Sequence, residues 1–264
     1  TKEYKIDKAE VYMDLNLAKE GFKADKWAAT EKYLYLFDSS KYSVLQIDKE
    51  NKSTKVVAGG EKLIGGKLIA ADENRVFIST QDKIMIIDVA KTEIINELKA
   101  DKWGEIGELI GFSGSLYLLD KQNNQIWKYQ DPNLAKPAKG TYLKKETNLK
   151  DAVSLAIDGF VWVLYSDGEI IKFSRGVKDN FNMTGLDKPL IEPIKLYTQA
   201  SLDNLYILDR KAMKVVVINK ETGELAGQYL WPGISGTTDI YADESKNQIL
   251  LLVNDRIYQL DLRK

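Results

Sequence analysis

Six short alternating runs of the chain each hold an aromatic or large apolar residue. They are YLYLFD from position 33, RVFIST from 75, SLYLLD from 115, FVWVLY from 160, NLYILD from 204 and QILLLV from 248. Runs of this kind predict strands. Their third positions, Tyr35, Phe77, Tyr117, Trp162, Tyr206 and Leu250, are separated by 42, 40, 45, 44 and 44 residues. So regular a period marks one supersecondary unit repeated six times.

A second strand-like run follows each copy after a short polar turn: SVLQID, KIMIID, QIWKYQ, EIIKFS, KVVVIN and RIYQLD. Each pair predicts a hairpin, near 33–50, 75–90, 115–130, 160–174, 204–219 and 248–262. Ahead of each hairpin lies a run of small and apolar residues (WAATE, KLIAAD, ELIGFS, VSLAID, KLYTQA, TDIYAD), and after most of them a fourth run appears, as in STKVVAG, EIINELK and ELAGQYL. Four strands per repeat is the unit of a β-propeller blade. The two chain ends supply a test. The last unit stops at RIYQLDLRK without a fourth strand, while AEVYMDLNL precedes the first unit's innermost run. Residues 9–17 are therefore predicted to complete the last blade and cover its free edge. The expectation is an all-β fold: one six-bladed β-propeller domain spanning 1–264, with four antiparallel strands per blade and a ring closed by the N-terminal strand.

Alternate units differ. The first, third and fifth carry Asp38, Asp120 and Asp209 at the end of the second strand and a longer turn; Thr80, Tyr165 and Val253 stand there in the others. A turn-capping role, in which the carboxylate accepts bonds from the amides just after it, is expected for those aspartates rather than metal binding. DPNLAKPAKGT and SRGVKDNFNMTGLDKPLIEP interrupt the regularity and read as surface insertions.

NLYILDRKAMKVVVINKETGE and SLYLLDKQNNQIWKYQ resemble the second-to-third-strand hairpin of NHL-type propellers, with an Asp ending one strand and a polar or basic turn leading into an apolar one. The likeness fits the first, third and fifth units, and Arg210 echoes the turn arginine of that family. The whole also resembles the extracytoplasmic sensor propellers attached through a membrane helix to bacterial Ser/Thr kinases or phosphatases. That resemblance implies a binding or scaffolding module, extracytoplasmic and part of a larger, membrane-anchored bacterial protein.

Composition then narrows the chemistry. There is no Cys and no His, which removes disulfides, thiol nucleophiles, imidazole bases and the usual ligands of zinc, copper and haem. A Ser-His-Asp or Cys-His arrangement is thereby excluded. Lys plus Arg is 38 against 39 acidic residues, giving a net charge of -1, so no overall basic field would draw the chain to nucleic acid. No run approaches the ~18 apolar residues that would span a bilayer, so no direct membrane insertion is expected. The chain opens at Thr1 without a signal peptide and reads as an excised or processed domain.

Hydrolase chemistry stays open by one route. Six-bladed propellers that act as calcium-dependent lactonases or esterases hold the ion with carboxylates and amides from several blades, and calcium takes oxygen ligands rather than His. Asp151, Asp203 and Asp239 lie on or beside inner runs, but no calcium loop is present, so neither a metal nor a cofactor is expected. Paired carboxylates for glycoside cleavage also stay open.

Loops from the fourth strand of one blade to the first of the next open on the same face as the turns between second and third strands, and function concentrates in such loops. Trp27 and Trp103 fall in the former class, within two copies of KADKW that begin 76 residues apart, and so does Trp231 in LWPGISG; Tyr42 lies in a turn of the latter class. These four residues are the candidate binding site, an aromatic rim for a protein segment, glycan or small molecule. The competing expectation is that each indole packs between neighbouring sheets; Trp127 and Trp162, on strands, are expected to be packing residues. A non-enzymatic, monomeric sensor or interaction propeller is the leading reading, with a calcium-dependent hydrolase and a purely structural spacer as alternatives.

Overall fold

A computed structural model describes residues 2–132 and 137–263. It contains six sheets, one for each repeat, each built on four antiparallel strands and one of them carrying a fifth strand, and the fold is a six-bladed β-propeller. Two compact units, Leu15–Tyr142 and Thr1–Asp14 with Leu143–Lys264, each hold three of the blades. Among the described residues no helix is long and apolar enough to cross a membrane.

In the unit Leu15–Tyr142, the first blade is Lys26–Ala29, Tyr33–Asp38, Ser43–Asp48 and Thr54–Gly59. The second is Leu68–Asp72, Arg75–Ser79, Lys83–Asp88 and Glu93–Lys99, and the third Ile106–Phe112, Ser115–Asp120, Gln125–Gln130 and Ala138–Thr141. The alternation of side chains explains why the second and third strands read as unbroken apolar runs. In the second blade Val76, Ile78, Met85 and Ile87 pack with Tyr35, Phe37 and Val44 of the first. Phe77, Ile84 and Ile86 point the other way, into a cluster with Leu109, Leu116, Leu118 and Tyr129 of the third. A blade between two neighbours has no solvated face, so its central strands cannot afford polar positions.

The other unit repeats this logic. Its blades are Ala152–Ile157, Val161–Tyr165, Ile170–Ser174 and Val177–Asp179; Pro193–Tyr197, Asn204–Asp209, Lys214–Asn219 and Leu225–Leu230; and Asp239–Asp243, Gln248–Val253 and Arg256–Asp261. The last of these is completed by Glu10–Asp14, which runs antiparallel to Arg256–Asp261 with Val11 opposite Tyr258 and Met13 opposite Ile257. The closing strand predicted over 9–17 is therefore present and shorter, because Leu15–Ala18 turns into a single helical turn. Tyr206, Val215 and Val217 pack against Ile240, Ile249 and Leu251, joining the fifth and sixth blades.

Two expectations need correction. The segments read as surface insertions contain the fourth strands of the third and fourth blades: Ala138–Thr141 pairs with Gln125–Gln130, and Val177–Asp179 with Ile170–Ser174. Residues 133–136 of the first segment lie outside the described residues. In the second, Phe181, Met183 and Leu186 pack against the core between the fourth and fifth blades, and Thr184 bridges to Glu224. Its extra length is thus used for burial. The second correction concerns Trp27, which stands in the first strand of its blade and is 5% exposed.

Candidate functional site

The three aspartates of the alternate blades decide how one end of each blade is built. Asp38, Asp120 and Asp209 are all 0% exposed. Asp38 accepts from the amides of Ser40 and Lys41 in its own turn at 3.0 and 2.9 Å, and from the amide of Lys23, ahead of the first strand, at 3.0 Å. Asp120 accepts from the amides of Asn123 and Gly104 at 3.0 and 2.8 Å and from the Trp127 indole at 2.8 Å. Asp209 accepts from the amides of Ile191, Glu192 and Ala212 at 2.9, 3.0 and 3.2 Å. The capping role expected from sequence is there, and each carboxylate does a second job. It ties the turn between the second and third strands to the segment entering the first strand of the same blade.

Local chemistry supports this clamp. Burial pushes the Asp38 carboxyl up, but bonds from the Ser40 hydroxyl and from the amides of Lys23, Lys41 and Ser40 outweigh it and hold the group below its ordinary value. At Gly104 a Cβ would sit 2.7 Å from Asp120 Oδ1, so only glycine lets this backbone reach the carboxylate. Four residues after each Asp the chain turns left-handed at Tyr42, Asn124 and Met213, with φ of 50, 52 and 52°. A bulky residue held there is strained by about 1–3 kcal/mol.

In the fifth blade the clamp creates a platform. Arg210 donates from its amide to the Glu192 carbonyl at 3.1 Å, and its guanidinium grips the Glu192 carboxylate at 2.6 and 3.4 Å. That guanidinium holds Glu192 below the usual carboxylate range. The Trp231 amide donates to the Met213 carbonyl at 3.1 Å, which brings in the connection to the next blade. Two large apolar side chains stand out of this rigid surface: Ile191 is 56% exposed and Met213 43%.

The sequence-predicted residues fall as follows. Trp231 lies beside Met213, half-buried, with its ring 4.9 Å from that of Tyr258. Trp103 is half-buried on the third blade; its indole donates to the Tyr129 hydroxyl at 2.7 Å and the rings meet edge to face. Burial pushes the Tyr129 phenol up to about 12. Tyr42 packs against the core between the first and second blades, and Trp27 is buried. Trp103 thus meets the Tyr129 ring, and Trp231 the Tyr258 ring. Both strand tryptophans pack as expected: Trp162 is buried, and half-buried Trp127 packs against the core between the second and third blades, with the Lys139 ammonium 3.9 Å from its ring centroid.

Sequence reasoning missed Ile191 and Met213, which carry no aromatic signal. The trace was available in the Asp-to-turn spacing, since Met213 occupies the position of Tyr42 in its repeat.

Carboxylates at the opposite blade ends bind neighbouring blades. Asp72 accepts from the Gly114 amide at 2.8 Å, and Asp158 from the Lys220 ammonium at 2.8 Å. Glu244 accepts from the Asp203 amide at 2.7 Å and from the Asn204 amide group and Tyr206 hydroxyl at 2.8 Å each. Burial first, and then Glu244, push the Tyr206 phenol far up. Of the calcium candidates, Asp151 and Asp203 are exposed and Asp239 lies 3.8 Å from the Lys195 ammonium. Among the described residues no group of three or more acidic side chains could hold a metal ion.

No protein-family model matches the chain, and no curated protein matches it. Solved structures are similar in fold. PorZ, a bacterial surface component of the type-IX secretion system of Porphyromonas gingivalis, superposes with a TM-score of 0.61 at 15% identity over 91% of this chain. The chain spans 31% of that PorZ chain. Streptogramin B lyase gives 0.56 at 14% identity, covering 91% of this chain and 93% of its own. The WD40 propeller domain of Doa1 gives 0.58 at 9% identity, covering 98% of both. At such identities the likeness is one of fold, and propellers of this shape include a lyase as well as WD40 domains.

Proposed function

We propose that this chain is a non-enzymatic binding or interaction propeller, a sensor or scaffold module, and that its ligand is a protein segment seated on the fifth blade. The observation that carries the reading is the Asp209 clamp, which holds Ile191 and Met213 outward on fixed backbone. Exposed apolar side chains on a rigid support lose little entropy on binding, and the Arg210–Glu192 pair beside them supplies polar contacts for orientation. Trp231 extends the same surface toward the sixth blade. Trp103 and Tyr42 lie in the other unit, where Trp103 already spends its indole donor on Tyr129.

The absence of Cys and His leaves carboxylates, hydroxyls and lysines as the only candidate catalysts. Of the carboxylates, Asp38, Asp72, Asp120, Asp158, Asp209 and Glu244 at the blade ends are engaged with amides or cations. The NHL-like character, and an extracytoplasmic setting in a larger membrane-anchored bacterial protein, are parts of the same proposal; PorZ is a precedent for a propeller at a bacterial surface.

A panel of immobilised peptides, cell-wall glycans and lactones tests the reading. Saturable peptide binding that survives chelation of calcium supports it. Lactone turnover that requires calcium, or no binding to any member of the panel, contradicts it. Changing Trp27 and Trp103 to Ala separates the other candidate rim: unchanged binding with a lowered melting temperature makes both residues packing groups.

A further inference from the structure

All six blades have four strands without the first nine residues, yet Glu3–Lys5 forms a fifth strand on the fifth blade. It runs parallel to Leu225–Leu230, with Glu3 opposite Gln228, Tyr4 opposite Tyr229 and Lys5 opposite Leu230. Two further bonds frame it: the Gln228 amide donates to the Lys2 carbonyl at 2.8 Å, and the Ile6 amide to the Leu230 carbonyl at 2.9 Å. Tyr4 and Ile6 pack against the core while Glu3 and Lys5 are exposed, the alternation of a strand with one buried face.

The buried face has a shaped socket. The Tyr4 ring lies 5.0 Å from the Tyr229 ring, and the Arg263 guanidinium sits 5.3 Å from its centroid. Arg263 is itself tied down, its amide donating to the Tyr229 hydroxyl at 2.9 Å. Gly227 forms the floor, since a Cβ there would come within 3.3 Å of Tyr4 Cε2. An aromatic ring is thus received by an aromatic wall, a cation and bare backbone.

We propose that this edge is a strand-addition site for an extended peptide carrying an aromatic residue followed two positions later by an aliphatic one, and that residues 2–6 are its occupant in cis. Free sheet edges take added strands, with main-chain bonds giving affinity and alternate side chains giving selectivity. The present occupant is removable on three grounds. No blade needs it for completion, its ladder is three pairs long, and the exposed residues Asp7 and Lys8 separate it from the strand that completes the last blade. A segment tethered so closely competes at an effective concentration on the order of millimolar, so it also sets a threshold that a partner must exceed. The proposal rests on these contacts and not on the Ile191 and Met213 surface.

The test uses the full chain and its Tyr4→Ala variant, titrated into a fluorescein-labelled peptide of residues 2–8, Lys-Glu-Tyr-Lys-Ile-Asp-Lys, with anisotropy as the readout. Loosening the occupant in cis should open the edge, so the variant binds the peptide at least about tenfold more tightly than the unaltered chain. A peptide with Ala for its Tyr should lose at least about tenfold in affinity. Should the variant lose its native circular dichroism, the chain beginning at Asp7 takes its place with the same expectations. A folded variant that binds no more tightly than the unaltered chain, or that binds both peptides alike, overturns the proposal.

Discussion

Removing the carboxylate of Asp209 is the sharpest perturbation of the clamp. Asp209→Ala deletes three charge-assisted bonds, to the amides of Ile191, Glu192 and Ala212, at a side chain that is 0% exposed. Hydrogen bonds to a charged group are worth about 1.5–3 kcal/mol each, but the orphaned amides lie near the surface where water recovers part of the loss, so the net cost is about 3 kcal/mol. For a chain of this size that lowers the melting temperature by about 6–12 °C. Asp209→Asn keeps one acceptor oxygen and should lose roughly half as much. Thermal and urea unfolding followed by circular dichroism measure both, with Thr80→Ala, at the corresponding position of the second blade, as the control. If Asp209→Ala stays within about 0.5 kcal/mol of the unaltered chain, as an ordinary surface change would, the clamp does not hold the platform and the reasoning fails.

Three further outcomes follow from the same structure. Phe77→Ala, which empties a fully buried site between the second and third blades, should cost about 3–5 kcal/mol in urea unfolding. The Asp38 carboxyl is held below its ordinary value of 3.8, so its contribution to stability is complete above that value and disappears as the pH falls through the lower folded value; Asp38→Asn should flatten that part of the acid unfolding curve. Burial pushes the Tyr129 and Tyr165 phenols from 10.0 to about 12. The folded state therefore resists their ionisation, stability should decline as the pH climbs through that interval, and phenolate absorbance should appear later than in a denatured control.

Most of the fold was legible because a propeller blade is buried on both faces. That burial forces apolar runs in the second and third strands, and Tyr35, Phe77, Trp162, Tyr206 and Leu250 are at most 1% exposed at their centres. The closing strand could be found by counting, since one blade lacked a strand and one end had a spare. Outer strands were harder. Ala138–Thr141 and Val177–Asp179 are short and largely exposed, so no alternation marks them off from loops. Glu3–Lys5 was invisible for the same reason, because a three-residue strand with one inward side chain has no period to detect. At the candidate site, aromatic content drew attention to Trp27 and Trp103, which packing largely claims. Ile191 and Met213 are ordinary apolar residues whose importance comes from where Asp209 holds them.

The central claim is that the Asp209-clamped surface of the fifth blade is where this chain binds. Its most direct test is the affinity of a peptide found in the panel for the unaltered chain and for an Ile191→Ser, Met213→Gly variant. Glycine accepts the left-handed backbone at position 213 without strain, and Ile191 is exposed, so the variant should melt within about 2 °C of the unaltered chain. The account predicts a loss of affinity of about tenfold or more at unchanged stability, the cost of about 1.4 kcal/mol or more in buried contact. Equal affinity for both chains would contradict it.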